Sequence, residues 1–260
     1  MKFLYLIQGK AENVVKYLHL NSATSCLHGL TYDVVQDGFD YLPKSSFAEG
    51  RNHLYEVARN RLAEFNYFIF IDDDVEFQAG SFHQMEMNLV KYQPSVGVPL
   101  TAKTRRSAIG IERKARVIPL LTAQRFHIND EQYLGLRRDV VEEENIMPYL
   151  TAWDAESWFV CCLIQEALIQ HFYFKSARQF NNCEIRNEQH SGDYPHNLEF
   201  ATATYKQYMD QHYPGLKKRP AQYETLLNLT GSVADIFQQL RTSVIALLRR
   251  TSVYRRLRGI

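Results

Sequence analysis

Apolar residues in this chain fall into two kinds of run, and their order predicts an architecture before any chemistry is considered. Short unbroken apolar runs read as strands covered on both faces, and apolar residues spaced three and four apart read as one face of a helix. Phe3 to Ile7 is the first such strand, closed by Gln8 and Gly9, and Asn13 to Leu20 follows as a helix carrying Val14, Val15 and Leu18. Tyr32 to Val35 reads as a second strand, ending at Gln36, Asp37 and Gly38. Strand, helix, strand is the signature of a parallel sheet. After a loop holding Pro43, Ser45 and Ser46, the stretch from Arg51 to Phe65 places Leu54, Ala58, Leu62 and Phe65 on one helical face. It feeds Tyr67 to Ile71, a third buried strand that stops abruptly at Asp72, Asp73 and Asp74.

Further along, Ser81 caps a helix running to about Tyr92, and Val96 to Leu100 is the next strand. Thr101 to Arg116 turns polar and basic before Val117 to Thr122 resumes a strand-like pattern. Asp139 to Asn145 is acidic, Pro148 to Trp153 returns to the core, and Asp154 or Ser157 opens an apolar helix. Tyr173 to Ile185 shows no clean period. From Ser232 onward, Val233, Ile236, Phe237, Leu240, Val244 and Leu247 recur at helical intervals. The pattern predicts an α/β domain over 1–228 and an amphipathic helical tail over 229–260.

Composition narrows this picture. With 260 residues, 45% of them hydrophobic, the chain can bury the core of one full α/β domain and is not of the disordered class. Its four cysteines show no CxxC spacing and read as core residues of a reducing compartment. The first apolar run ends at Gln8, too early for a signal peptide, so a cytoplasmic protein is expected. No run is long enough to span a bilayer.

The formal net charge of +1 conceals a basic tail, with six arginines and no acidic residue from Arg241 to the C-terminus. They interleave with Val253, Tyr254 and Leu257, as in a helix lying in a membrane interface. Each basic residue near an anionic leaflet contributes about 1 kcal/mol, which predicts peripheral attachment to the inner face of the membrane, the competing readings being a helix docked on the body or an oligomer contact. The body has no basic face and no nucleic-acid motif, so nucleic acid is not an expected partner.

The candidate chemistry lies where strands end. In open α/β sheets ligands bind outside the carboxyl ends of the strands, so Gln8, Gly9 and Asp37 should line one crevice with Asp72, Asp73 and Asp74. Three adjacent carboxylates repel one another, and Mg2+ or Mn2+ held with phosphate oxygens is a fitting neutraliser. A solvated acidic turn is the plainer reading. Asp154 and Glu156 are two residues apart, so within a helix they would point roughly 200° apart and only one could face a pocket. Asp154 could instead precede the helix as its cap. RNEQHSGDYPHN gathers His190, Asp193 and His196 in a turn-rich segment.

The strand YFIFIDDDV, preceded by the helix EGRNHLYEVARNRL, resembles the DxD-bearing nucleotide-sugar glycosyltransferases of the GT-A fold, from about Lys2 to His196. The resemblance implies a Rossmann-like, open, twisted, mostly parallel sheet flanked by helices. It implies that Gln8, Gly9, Asp37 and Arg51 border the nucleotide base and ribose, and that Asp72 and Asp73 meet the ribose and metal. Asp74 would be the principal metal ligand, and His190 the late histidine directed at metal or diphosphate. Asp154 or Glu156 would be the general base of an inverting transfer. The implied reaction is metal-dependent, with Mn2+ or Mg2+. It moves a sugar from a nucleoside-diphosphate sugar to a glycan or lipid-linked acceptor, in surface polysaccharide biosynthesis. Two alternatives remain: a haloacid-dehalogenase-type phosphatase built on Asp72 and Asp74, and a GT-A-like scaffold without chemistry. Glu76 and the position of the strand speak against the phosphatase, whose motif sits on a first strand.

Overall fold

Every residue of the first strand, β1 (Phe3–Gly9), is buried, because strands flank it on both edges and helices cover both faces. The computed structural model describes residues 1–101, 123–125, 132–187 and 197–214. The basic segment after Thr101, the strand-like run from Val117 to Thr122, His190 and the 229–260 tail lie outside the described residues. A short helix, α1 (Ala11–Val14), and a 3-10 turn over Val15–Leu20 return the chain to β2 (Ser25–Thr31), which pairs parallel with β1. Next come a two-residue edge strand, β3 (Asp40–Tyr41), the helix α2 (Phe47–Asn60) and β4 (Tyr67–Asp72). β4 runs parallel to β1 with Gln8 opposite Asp72.

The remaining elements are β5 (Val75–Ala79), α3 (Phe82–Tyr92), β6 (Val96–Thr101), β7 (Ala123–Arg125), β8 (Tyr133–Arg137), α4 (Arg138–Glu143), α5 (Phe159–Tyr173), β9 (Arg178–Asn187) and α6 (Leu198–His212). The sheet order is β3-β2-β1-β4-β8-β6-β9-β5, with β7 on β9. Strands β3, β2, β1 and β4 are parallel throughout; β8 joins antiparallel to both β4 and β6, and parallel pairing returns between β6 and β9.

Strand alternation divides the core into two layers. Phe3, Tyr5, Ile7, Tyr67, Ile69 and Ile71 share a cluster with Val14, Met85 and Leu89, on the side of α1 and α3. Leu4, Leu6, Phe68 and Phe70 are buried on the opposite side, where α2 packs on β1 and α4 on β4. The Tyr55 hydroxyl donates to Val141 O at 2.8 Å and ties α2 to α4. At the outer edge, Asp40 accepts from His28 Nε2 at 2.9 Å and His53 Nε2 at 2.7 Å, joining β3 to β2 and α2.

Several boundaries differ from the sequence pattern. The second strand is Ser25–Thr31, not Tyr32 to Val35; Val34 and Val35 are exposed despite their β-branched side chains. Residue 29 is glycine because a Cβ there would lie 2.7 Å from both Val14 and Phe39, and this small residue masked the strand. α2 begins at Phe47 rather than Arg51: the side chain of Ser46 accepts from Glu49 N, and Glu49 returns a carboxylate to Ser46 N. The aperiodic stretch from Tyr173 to Ile185 ends α5 and enters β9.

The chain divides into two compact units, Met1–Gln207 and Tyr208–Ile260. In the second, the described residues 208–214 include the end of α6, where the Tyr208 ring stacks on His212 at 4.4 Å. Among the described residues no helix is long and apolar enough to cross a membrane.

Candidate active site at the carboxyl edge of the sheet

Alternation along β4 separates the three aspartates. Asp72 extends the Phe68–Phe70 series and meets α2, where the Arg51 guanidinium donates Nη2–H to Asp72 Oδ1 and Nη1–H to Ile71 O at 3.1 Å. Arg51 is 1% exposed and lies 5.2 Å over the Phe47 ring. Arg51 thus reaches the end of β4 through Asp72 and the Ile71 carbonyl. Gln8 lies on the same face, donating Nε2–H to Ser46 O at 3.2 Å. It fits against α2 because residue 50 is glycine, where a Cβ would come 2.3 Å from the Gln8 amide.

Asp73 turns the other way and is buried. Its Oδ2 accepts from Lys10 N at 2.8 Å and from Asn13 Nδ2 at 3.0 Å, and Lys16 Nζ donates to Asn13 Oδ1 at 2.7 Å. Gly9 permits this approach, since a Cβ there would lie 2.1 Å from the Asp73 side chain. Asp74 is half-buried in the turn between β4 and β5. Mutual repulsion in the triplet is thus relieved by fanning, with one carboxylate directed to a guanidinium and the next to amide donors. Burial above all, with the charges of Asp73, Asp74 and Asp72 adding to it, pushes the Tyr17 hydroxyl well above its usual range.

Asp37 is exposed in a turn beyond the end of β2. The acid nearer the crevice is Asp33, whose Oδ1 accepts from Ala11 N at 3.0 Å. Asp33 and Asp73 together occupy the amides that open α1. Sequence reasoning missed Asp33 because it placed that residue inside a strand, Tyr32 to Val35; the SCLHGLT run was the signal that could have found it.

Asp154 and Glu156 lie ahead of α5 rather than within it, in turns over 152–156. Asp154 Oδ2 accepts from Ser46 Oγ, the N-cap of α2, and its carboxylate also accepts from Ala48 N–H. Burial raises the Asp154 pKa from its ordinary value, and these two hydrogen bonds oppose that rise without cancelling it. Glu156 is exposed, with its amide on Trp153 O at 3.0 Å. The turn is held on α2 by ring contacts of Phe47 with Trp158 at 5.0 Å and Tyr149 at 5.8 Å. Asn52 exchanges hydrogen bonds with the Tyr149 backbone, donating at 2.9 Å and accepting at 2.7 Å.

One sheet edge therefore brings together Gln8, Gly9, Arg51, Asp72, Asp73, Asp74 and Asp154, linked through Ser46 and the β4 turn. It does not bring in Asp37, and His190 lies outside the described residues. Among the described residues no group of three or more His, Cys, Asp or Glu side chains is disposed to hold a metal ion.

No protein-family model and no curated protein sequence matches this chain. Among solved structures, S. aureus TarS 1-349 aligns with a TM-score of 0.50 at 9% identity, over 80% of this chain and 64% of that one. The same TarS piece in complex with UDP-GlcNAc aligns at 0.46 and 7% identity, over 90% and 77%. A197 from STIV aligns at 0.44 and 11%, over 73% and 86%. At such identity the likeness to TarS is one of fold, and the fold is the Rossmann-like GT-A architecture, a mixed α/β sheet flanked by helices.

Proposed function

We propose that this protein is a metal-dependent glycosyltransferase that moves a sugar from a nucleoside-diphosphate sugar to a glycan or lipid-linked acceptor in surface polysaccharide synthesis. The observation that carries the reading is the convergence on one sheet edge of the Asp72–Asp74 turn and the turn bearing Asp154 and Glu156. A buried strand delivers oxygen donors to that edge, and a second acidic turn some 80 residues further along the chain reaches the same edge.

The donor set suits a hard cation. Mg2+ and Mn2+ favour one or two carboxylates completed by substrate phosphates, so Asp74, with Asp72 beside it and His190 as a further ligand, forms an adequate protein share. When bound, the ion would stabilise charge on the departing diphosphate. The chain's own residues do the rest. Arg51 fixes Asp72 from beneath, Asp73 and Gly9 fix the β1–α1 connection, and Gln8 closes the base side against α2. An acceptor hydroxyl is a poor nucleophile until a carboxylate takes its proton, and Asp154 or Glu156 supplies that carboxylate. The 229–260 tail belongs to the same proposal as a reversible attachment to an anionic membrane surface on its cytoplasmic side. Sedimentation with anionic but not neutral vesicles would support that part.

The test is a thermal-shift panel of nucleoside diphosphates and their sugars, UDP and UDP-GlcNAc included, with and without Mn2+, on the native chain and Asp74→Asn. A ligand at a hundredfold excess over its dissociation constant adds about 2.7 kcal/mol of apparent stability. Metal-dependent stabilisation by one nucleotide, lost in Asp74→Asn, is the expected result. Indifference to every nucleotide would overturn the donor site.

A further inference from the structure

Ser46 is a junction. Its carbonyl accepts from Gln8 Nε2 on β1 at 3.2 Å and from Gly50 N at 3.1 Å. Its amide donates to Glu49 Oε2 at 2.9 Å, its hydroxyl oxygen accepts from Glu49 N at 3.2 Å, and its hydroxyl proton goes to Asp154. One residue thereby joins the donor wall, the first turn of α2 and the turn before α5. Asp154 spends its carboxylate on this junction, receiving Ser46 Oγ–H and Ala48 N–H. Two positions on, Glu156 is exposed, and among the described residues no hydrogen bond or ion pair engages its carboxylate.

We propose that Asp154 is a positioning residue that latches the 152–156 turn onto the N-terminus of α2 through Ser46, leaving Glu156 as the turn's proton acceptor. The inference rests on the glycosyltransferase reading for its chemistry, but the latch itself does not. An anion at a helix N-terminus is favoured by the helix dipole and by the amides that helix leaves unpaired. α2 has fourteen residues, and its first turn carries Phe47, which packs on Trp158 and under Arg51. Releasing Asp154 therefore loosens the turn and the support of the Arg51–Asp72 pair together. The asparagine amide oxygen can still accept from Ser46 Oγ but asparagine cannot serve as a base, so Asp154→Asn separates the two roles.

The experiment uses the full chain and the variants Asp154→Asn, Asp154→Ala, Ser46→Ala and Glu156→Gln. Without substrate, amide hydrogen exchange over 47–50 and 152–156 should quicken in Ser46→Ala and Asp154→Ala and stay native in Asp154→Asn. Unchanged exchange in the 152–156 turn of both Ser46→Ala and Asp154→Ala would overturn the latch. With UDP-GlcNAc and Mn2+, donor hydrolysis by Asp154→Asn should keep its acid limb. Glu156→Gln should lose that limb and about a hundredfold or more in rate, the usual contribution of a general base. Asp154→Asn as inactive as Asp154→Ala, with the acid limb gone, would make Asp154 the base and overturn the assignment. Absence of turnover by the native chain would count against the transferase reading and the assignment of Glu156, while the exchange data would still decide the latch.

Discussion

Two acidic turns meet at the same edge of the sheet, and they handle charge in opposite ways. After β4, consecutive carboxylates are dealt to opposite faces, Asp72 to a buried guanidinium and Asp73 to the amide donors of Lys10 and Asn13. Before α5, one carboxylate is tied to a helix cap and its neighbour two residues on is left in solvent. The strand turn is tied down at Asp72 and Asp73, each of which has a partner from another element. The later turn is held at one point and open at another. What a carboxylate can do thus depends on the donors that the fold aims at it, more than on the motif that contains it.

Breaking the first turn should cost most. Arg51→Leu removes two charge-assisted hydrogen bonds, one to the partly exposed Asp72 and one to the buried Ile71 carbonyl, roughly 1.5–3 kcal/mol each. Urea melts would show this as a lowered midpoint, and a loss under 1 kcal/mol would mean that water replaces the guanidinium. Asp73→Ala forfeits two hydrogen bonds to a charged acceptor, roughly 1.5–3 kcal/mol each. The same melts check it, with nucleotide-induced stabilisation expected to fall as the β1–α1 connection loosens.

The second turn should respond more weakly. Ser46→Ala removes an N-cap and should cost about 1 kcal/mol, and Glu156→Gln, at an exposed position, should stay within about 0.5 kcal/mol of native stability. A Glu156→Gln loss as large as that of Arg51→Leu would erase the distinction between the turns. The pH dependence sharpens the contrast. Burial first of all raises the Asp154 pKa from 3.8, so the contribution of this group is full below that value and is lost as pH rises through its folded pKa. The melting temperature of the native chain minus that of Asp154→Asn should therefore fall as pH rises from 3.8 upward. A difference that grows with pH would mean that the Ser46 and Ala48 bonds dominate burial.

The parallel half of the fold was legible because its strands are covered on both faces and announce themselves as apolar runs. β1 and β4 lie where Phe3 to Ile7 and Tyr67 to Ile71 predict them. β2 was not legible, since Gly29, Ser25 and His28 dilute its pattern while the exposed Val34 and Val35 imitate a strand. That displacement moved attention from Asp33 to Asp37. The SFAE capping box before α2 was readable, and it would have set the helix start correctly and drawn attention to Ser46. Its partner was not readable, because Ser46 and Asp154 are 108 residues apart and only tertiary packing joins them. β9 stayed hidden for a related reason: it pairs with β5, β6 and β7, and its mixed side chains answer to several neighbours at once.

The contact between Gly9 and Asp73 has a consequence for how this chain can diverge. A Cβ at position 9 would fall 2.1 Å from the Asp73 side chain, so the two sites share one volume. Neither can drift alone: with the Asp73 Cβ itself 2.1 Å from that position, a larger residue at 9 becomes acceptable only once position 73 gives up its side chain, and a restored carboxylate at 73 requires glycine at 9 again. A sequence path through this site therefore has an order, and the pair changes as a unit or is held as it is.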